Sequence, residues 1–333
     1  MFCDLVFSGL ALPRPGSEVF ADGFLLSPGG VANRAVAATR LDAATGMLGV
    51  VGPDLFGQRV TELLAEEPGL DLRWLQRSTS GQTSLTVAVS DEHDRSFITY
   101  EEAGMSVPDS WPGPPPTART CHVGVVSAVP GWARDMRAAG TTVFGGVGWD
   151  ATRAWSPTVL DRLSGVDVFV PNEIEALSYT GTDAVDDAAA ILAERVQTVV
   201  VTRGGAGAIA VDSGTGQRLS IPAVPVTVVD PTGAGDVFVA ALMAATAFGW
   251  DLSTRVRFAT LAASLSVRGV GGAASAPHRH DIHDFLRAHN PDGDFAGIAD
   301  WAATDDLDGD QAPANDSMDP QDPPLLDIEK GSP

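Results

Sequence analysis

Lysine is almost missing from this chain: the only one in 333 residues is Lys330, so the basic side chains are otherwise arginines. With no lysine ahead of Lys330, the chain cannot carry a P-loop lysine, a Schiff base or the strand lysine of protein kinases. Any phosphate chemistry must rest on backbone amides, arginine and metal. Cysteine is as scarce. Cys3 and Cys121 lie far apart without metal-ligand spacing and read as two reduced, buried thiols. Positive charge is in deficit, 21 basic against 43 acidic side chains for a net −22, which argues against nucleic acid and anionic membranes as partners. The longest apolar run, near Val237–Trp250, falls short of the roughly 20 residues of a bilayer span. The start lacks a basic stretch and carries Asp4, unlike a signal peptide, so a cytoplasmic protein is expected.

What is present is enough to build a core: 44% hydrophobic residues and a mean hydropathy of +0.08. Residues 290–333 differ, with acids from Asp292 to Glu329 against Lys330 alone, several prolines and few large apolar residues. Such a segment buries too little surface to offset its ordering entropy and is predicted to be a disordered acidic tail. Over residues 1–289, one domain is predicted. Helical stretches (Val31–Leu41, Leu55–Glu66, Asn172–Tyr179, Asp186–Arg195, Ala234–Phe248, Ser253–Val267, Asp281–His289) alternate with β-branched runs (Thr45–Val51, Arg119–Val126, Thr141–Val147, Val166–Val170, Thr198–Thr202, Ala208–Val211). That alternation implies an α/β fold, a mostly parallel central sheet with helices on both faces. Thr83–Val89 and Arg95–Glu101 instead read as a hairpin around Asp91–Asp94. With the strand-like Glu18–Leu26 they make a small β lid, from about residues 10–27 and 80–103, able to close over a substrate and exclude water.

The densest signal is Asp230-Pro231-Thr232-Gly233-Ala234-Gly235-Asp236. It follows the β-branched run Val224–Val229 and precedes a helix-forming run, so a strand, a tight glycine turn and a helix start are predicted. Unpaired N–H groups at Gly233, Ala234 and Gly235, reinforced by the helix dipole, would stabilise an anion, phosphate above all. Asp236 would repel phosphate if the site only bound it. A carboxylate there makes sense as a base that takes the proton of a hydroxyl attacking the phosphate. The residues point to phosphoryl transfer to an alcohol.

This signature resembles that of the ribokinase-like carbohydrate kinases, the phosphofructokinase-B family. Three further segments match it in order: Gly29-Gly30-Val31-Ala32-Asn33, Asn172-Glu173-Ile174-Glu175 and Thr202-Arg203-Gly204-Gly205-Ala206-Gly207; Val51–Gly57 has the same look. The resemblance implies a three-layer ribokinase-like fold, and sugar contacts from Asp4, Gly29, Gly30 and Asn33. It implies nucleotide contacts from Asn172, Thr202, Gly204 and Gly207, and Mg²⁺ held through water by Glu175. It implies ATP as donor and K⁺ near the backbone of Asp230 and Thr232, helped by the Gly269–Gly272 loop. Chemically, a doubled glycine admits a ligand close to backbone, and Asn33 offers both donor and acceptor. Asn172 and Glu175, at i and i+3, share one helix face. A homodimer through the lid is also expected.

The chain departs from the family pattern in places. Only three residues precede Asp4, so most of a central first strand is expected to be missing. Gly145-Gly146 stands where relatives often place an acidic or amide residue, with Trp149 and Asp150 as candidates to compensate. The polar and acidic character of Asp4, Gly29–Asn33 and Gln82–Thr86 favours an unphosphorylated, ribose-like sugar, with Arg34 and Arg95 as counter-evidence. The alternatives are a nucleoside kinase and a non-catalytic sugar- or nucleotide-binding regulator. A dinucleotide oxidoreductase is disfavoured, because no Gly-x-Gly-x-x-Gly follows the first strand.

Overall fold

The computed structural model describes residues 1–10, 12–90, 95–102, 105, 107, 109, 111, 113–148, 150, 152–289, 295–304 and 325–326. The chain forms two compact units. One comprises Met1–Val107, Val228–Asp236 and Ser266–Pro333; the other comprises Pro108–Thr227 and Val237–Leu265. Residues 1–289, read from sequence as one domain, contribute to both.

The first unit contains β1 (Phe2–Ser8), β2 (Gly23–Gly29), α1 (Val31–Arg40), β3 (Thr45–Gly46), β4 (Gly49–Val51), α2 (Leu55–Ala65), β5 (Leu70–Asp71), β6 (Leu75–Ser78), β7 (Ser84–Ser90) and β8 (Arg95–Tyr100). Its largest sheet has the order β2-β1-β7-β8. β1 runs antiparallel to β2 and parallel to β7, and β7 runs antiparallel to β8. β1 is thus paired on both edges. The run expected as a strand over Glu18–Leu26 is strand only from Gly23 onward, because β2 begins there. The turn Asp91–Asp94 lies outside the described residues. Beneath the sheet, Cys3, Ala32, Val36, Met47, Val51, Val60, Leu64 and Leu75 form one buried cluster. The start of α2 is fixed by Asp54, whose Oδ1 accepts the N–H groups of Phe56 and Gly57 while Oδ2 accepts that of Thr83 at the foot of β7. Against a burial penalty, these donors hold the Asp54 carboxyl below the usual carboxylate range. The Val51–Gly57 segment is therefore a structural clamp.

The second unit contains β9 (Thr120–Gly124), α3 (Gly131–Ala138), β10 (Thr142–Gly146), α4 (Thr158–Arg162), β11 (Val168–Phe169), α5 (Glu173–Thr180), α6 (Val185–Ala193), β12 (Thr198–Thr202), β13 (Ala208–Asp212) and β14 (Gln217–Ile221). Its sheet has the order β14-β13-β12-β11-β10-β9. The pairs from β9 to β12 are parallel, and β13 and β14 are antiparallel additions. Val199, Val200 and Val201 on β12 are all fully buried, the mark of a strand covered on both faces. The α/β architecture with helices on both faces is as predicted.

α7 (Ala234–Ala247) and α8 (Leu252–Ser266) follow, then α9 (Arg279–His289), α10 (Ala296–Ala303) and β15 (Leu325–Leu326), which pairs with β6. The predicted strand over Val224–Val229 is absent. That segment is irregular, tied at Val224 N–H to the Ser264 hydroxyl and at Val229 N–H to the Val267 carbonyl. α10 corrects the tail expectation for residues 295–304. Ile298 is fully buried, and Arg279 donates to the carbonyl of Trp301 (2.6 Å) while its guanidinium lies over that indole. An apolar stripe in Ala296-Gly297-Ile298-Ala299-Asp300-Trp301-Ala302 offsets the local acidity. No helix among the described residues is long and apolar enough to cross a membrane. Both cysteines are free thiols, pushed up to about 12 chiefly by burial, although Cys121 is only partly buried.

Candidate active site

In the first unit, three elements bring together the residues expected to meet the sugar. Asp4 projects from β1, Gly29 ends β2, and Gly30 caps α1, which carries Asn33 and Arg34. Asp236 lies in the first turn of α7, about a quarter exposed. Its Oδ2 accepts Asn33 Nδ2–H (3.1 Å), and its Oδ1 is paired with the Arg34 guanidinium. Asn33 is buried, and its Oδ1 meets no donor among the described residues. Such an atom calls for a ligand hydroxyl or water.

Asp4 completes the cluster. Burial first, and then the negative charge of Asp236, push its carboxyl up to about 7. The carboxyl lies so close over Gly29 that a Cβ there would fall 2.1 Å from Oδ1, so only glycine fits. Across the sheet, Asp4 is in register with Ser27 on β2 and Thr86 on β7, and Thr86 with Thr99 on β8. The hydroxyls of Thr86 and Thr99 are 3.3 Å apart. Directly opposed residues share a face, so one row of oxygen-bearing side chains flanks Asp4. Sequence spacing could not reveal this row, because strand register sets it.

The turn before α7 is held by Asp230, which is buried and accepts the N–H groups of Thr232 and Gly271, both at 2.9 Å. Gly233 has φ +73° and packs on Gly272, where a Cβ would come within 2.4 Å of the Gly272 Cα. The N–H groups of Gly233 and Gly235 meet no acceptor among the described residues. Ala234, predicted to be a third free donor, instead reaches the Pro231 carbonyl at 3.3 Å, because the turn closes on itself. Gly233→Ala is expected to destabilise the protein by about 1–3 kcal/mol from backbone strain alone, with further loss from the contact with Gly272. A urea melt reads the first effect, and an unchanged midpoint would contradict the packing described.

The second unit gathers Asn172, Glu175, Thr202, Gly204 and Gly207, the residues expected on the nucleotide side. Asn172 and Glu175 form a capping box at the start of α5: Asn172 Oδ1 accepts Glu175 N–H (2.8 Å) and Glu175 Oε2 accepts Asn172 N–H (2.9 Å). Asn172 bridges to Thr202 at the end of β12, whose N–H reaches the Pro171 carbonyl (3.0 Å). The following turn is exposed at Gly204–Ala206 and closed by Arg203 N–H to the Gly207 carbonyl (2.7 Å). Burial pushes the Glu175 carboxyl up to about 7, against the Asn172 N–H. Its Oε1 makes no hydrogen bond among the described residues, so a hydrated divalent cation suits this half-committed carboxylate. Asp230 is different. Both its oxygens are occupied by N–H groups, leaving only backbone carbonyls in that turn for a cation.

Gly146 faces the His122 imidazole, and a Cβ there would lie 2.8 Å from Nε2, so a larger residue would require that ring to shift. Asp150 is drawn into its own turn: its Oδ1 accepts Thr152 N–H (2.9 Å) and its Oδ2 Trp155 N–H (2.8 Å). Trp149 lies outside the described residues.

The pattern of the pfkB family carbohydrate kinases matches residues 9–111 and 133–279. A ribokinase of Bacillus subtilis is 28% identical over 308 residues, covering 85% of this chain and 96% of its own. A fructokinase of Klebsiella pneumoniae is 31% identical over 298 residues, covering 81% and 96%. Among solved structures, the ribokinase of Arabidopsis thaliana complexed with ribose and ATP superposes with a TM-score of 0.69 at 25% identity, covering 86% of this chain and 96% of that one.

Proposed function

The chain belongs to the pfkB family of carbohydrate kinases, and on that footing we propose that it transfers the terminal phosphoryl group of ATP to the hydroxymethyl oxygen of an unphosphorylated, ribose-like sugar. The observation that carries this reading is Asp236, a partly exposed carboxylate at a helix start beside the unpaired N–H groups of Gly233 and Gly235. Asp236 takes the hydroxyl proton, and the two amides stabilise charge on the transferred group. Asp4, Gly29, Gly30, Asn33 and the Ser27–Thr86–Thr99 row bind the sugar hydroxyls. A buried carboxylate and an amide oxygen without a donor both suit hydroxyl donors. Asn172, Thr202, Gly204 and Gly207 bind the nucleotide.

Mg²⁺, when bound with ATP, neutralises the polyphosphate and orients its terminal group. Glu175 would hold that ion through water. K⁺ would take backbone carbonyls of Asp230 and Thr232. Pairing of two copies through the lid sheet belongs to the same reading, since Phe24, Ile98 and Tyr100 on one face of it are exposed.

A coupled ATP-consumption screen over pentoses, hexoses, sugar phosphates and nucleosides tests the proposal. ADP formation with an unphosphorylated sugar is the expected outcome. Turnover confined to nucleosides would shift the substrate to that class. No turnover with any acceptor would leave a binding protein without catalysis.

A further inference from the structure

Arg34 stands out among the ion-paired arginines of the first unit. Arg40 is committed to Glu67 and to the carbonyls of Ala274 and Ala276, Arg59 to Glu62, Arg73 to Asp71, and Arg279 to Asp42 and α10. Among the described residues Arg34 is the one paired with Asp236, and both side chains remain about a quarter exposed. The pairing is odd for a base, because the guanidinium occupies a carboxylate oxygen that would have to meet the substrate's hydroxyl proton. It becomes useful if the guanidinium has somewhere else to go. This chain has no lysine ahead of Lys330, so a side-chain cation for the transferred phosphoryl group must be an arginine.

We propose that Arg34 moves from Asp236 to the transferred phosphoryl group, supplying charge to the transition state and releasing the base in one displacement. The inference rests on Asp236 being the base. In the step, the sugar oxygen forms a bond to the terminal phosphorus of ATP and its proton passes to the Asp236 carboxylate. The bond from that phosphorus to the β–γ bridging oxygen breaks, and its electron pair leaves on ADP. Arg34 keeps its proton and its charge throughout. Planar guanidinium suits two phosphoryl oxygens at once. The unpaired Oδ1 of Asn33 gives the freed carboxylate's neighbour an acceptor for the incoming hydroxyl group.

The test compares Arg34→Ala, Arg34→Gln, Arg34→Lys and Asp236→Asn in the full chain. The first readout is the split between kcat and the sugar KM. The second, which needs no turnover, is affinity for ADP alone against ADP with aluminium fluoride, a planar phosphoryl mimic, in the presence of ribose. Arg34→Ala and Arg34→Gln are expected to lose about 100-fold or more in kcat, with the sugar KM nearly unchanged. The same two variants should lose a comparable factor for ADP–aluminium fluoride and little for ADP. Arg34→Lys should recover part of both losses.

Wild-type kcat in Arg34→Gln, a change confined to KM, or equal losses for ADP and its aluminium fluoride complex would overturn the proposal. An Arg34→Ala protein that fails to fold leaves Arg34→Gln and Arg34→Lys to decide it. Full activity in Asp236→Asn would sink the assignment of the base instead, while the aluminium fluoride comparison still decides Arg34.

Discussion

Asp236→Asn is expected to lower kcat by about 10²- to 10⁴-fold while nucleotide affinity barely changes. The loss follows from removing the only group in the cluster placed both to accept a proton and to sit beside the unpaired Gly233 and Gly235 amides. The fold should survive. An amide still accepts from Arg34, and its new N–H₂ group can donate to Asn33 Oδ1, which meets no donor among the described residues, once the Asn33 amide turns over. Thermal melting and ATP affinity are the controls. A variant that melts normally, binds ATP normally and turns over near the wild-type rate would remove Asp236 as the base.

Asp4→Asn is expected to act in opposite directions on binding and stability. A hydrogen bond to a charged group is worth about 1.5–3 kcal/mol, so the sugar KM should rise about 10- to 100-fold. In the free protein the Asp4 carboxyl titrates near 7, raised by burial and by Asp236, against about 3.9 in an unfolded chain. Between those values the folded state binds the extra proton. The contribution of Asp4 to stability is therefore complete below the unfolded value and is lost as pH rises to the folded one, by up to about 1.4 kcal/mol per pH unit. The asparagine variant should melt higher than wild type at pH 8 and show a flatter pH dependence. Glu175, also pushed to about 7, contributes the same trend independently, so the slope should shrink and not vanish. A steeper slope in Asp4→Asn would contradict the assigned environment. For catalysis the sign reverses: an ionised Asp4 binds the sugar, so kcat/KM should rise with pH through neutrality.

Much of this was legible in the residues. The Asp230–Asp236 run announced a glycine turn, a helix start and a carboxylate, and α7 begins there. Asn172 and Glu175 at i and i+3 did share a helix face, but their spacing also spells a capping box, and that structural duty takes up one carboxylate oxygen. Sequence could not weigh the two duties against each other. The strand expected at Val224–Val229 failed because β-branched composition reports suitability for a sheet, while pairing needs a neighbouring strand with free edges. The place of β1 was not legible for a related reason: Leu5, Val6 and Phe7 are consecutive apolar residues without alternation, and only register with β2 and β7 decides which sheet the strand joins. α10 was hidden by averaging, since a short apolar stripe was outweighed by the acids around it. Arg34 was visible as a cation next to Asn33, but its partner lies 202 positions away in sequence.

The most direct test follows phosphorus. ³¹P NMR of ATP, Mg²⁺, the selected sugar and the purified protein should show one new phosphomonoester on the sugar's hydroxymethyl oxygen for each ADP formed, and neither product at a comparable rate with Asp236→Asn. ADP accompanied only by inorganic phosphate, or a phosphomonoester made undiminished by that variant, would contradict the account.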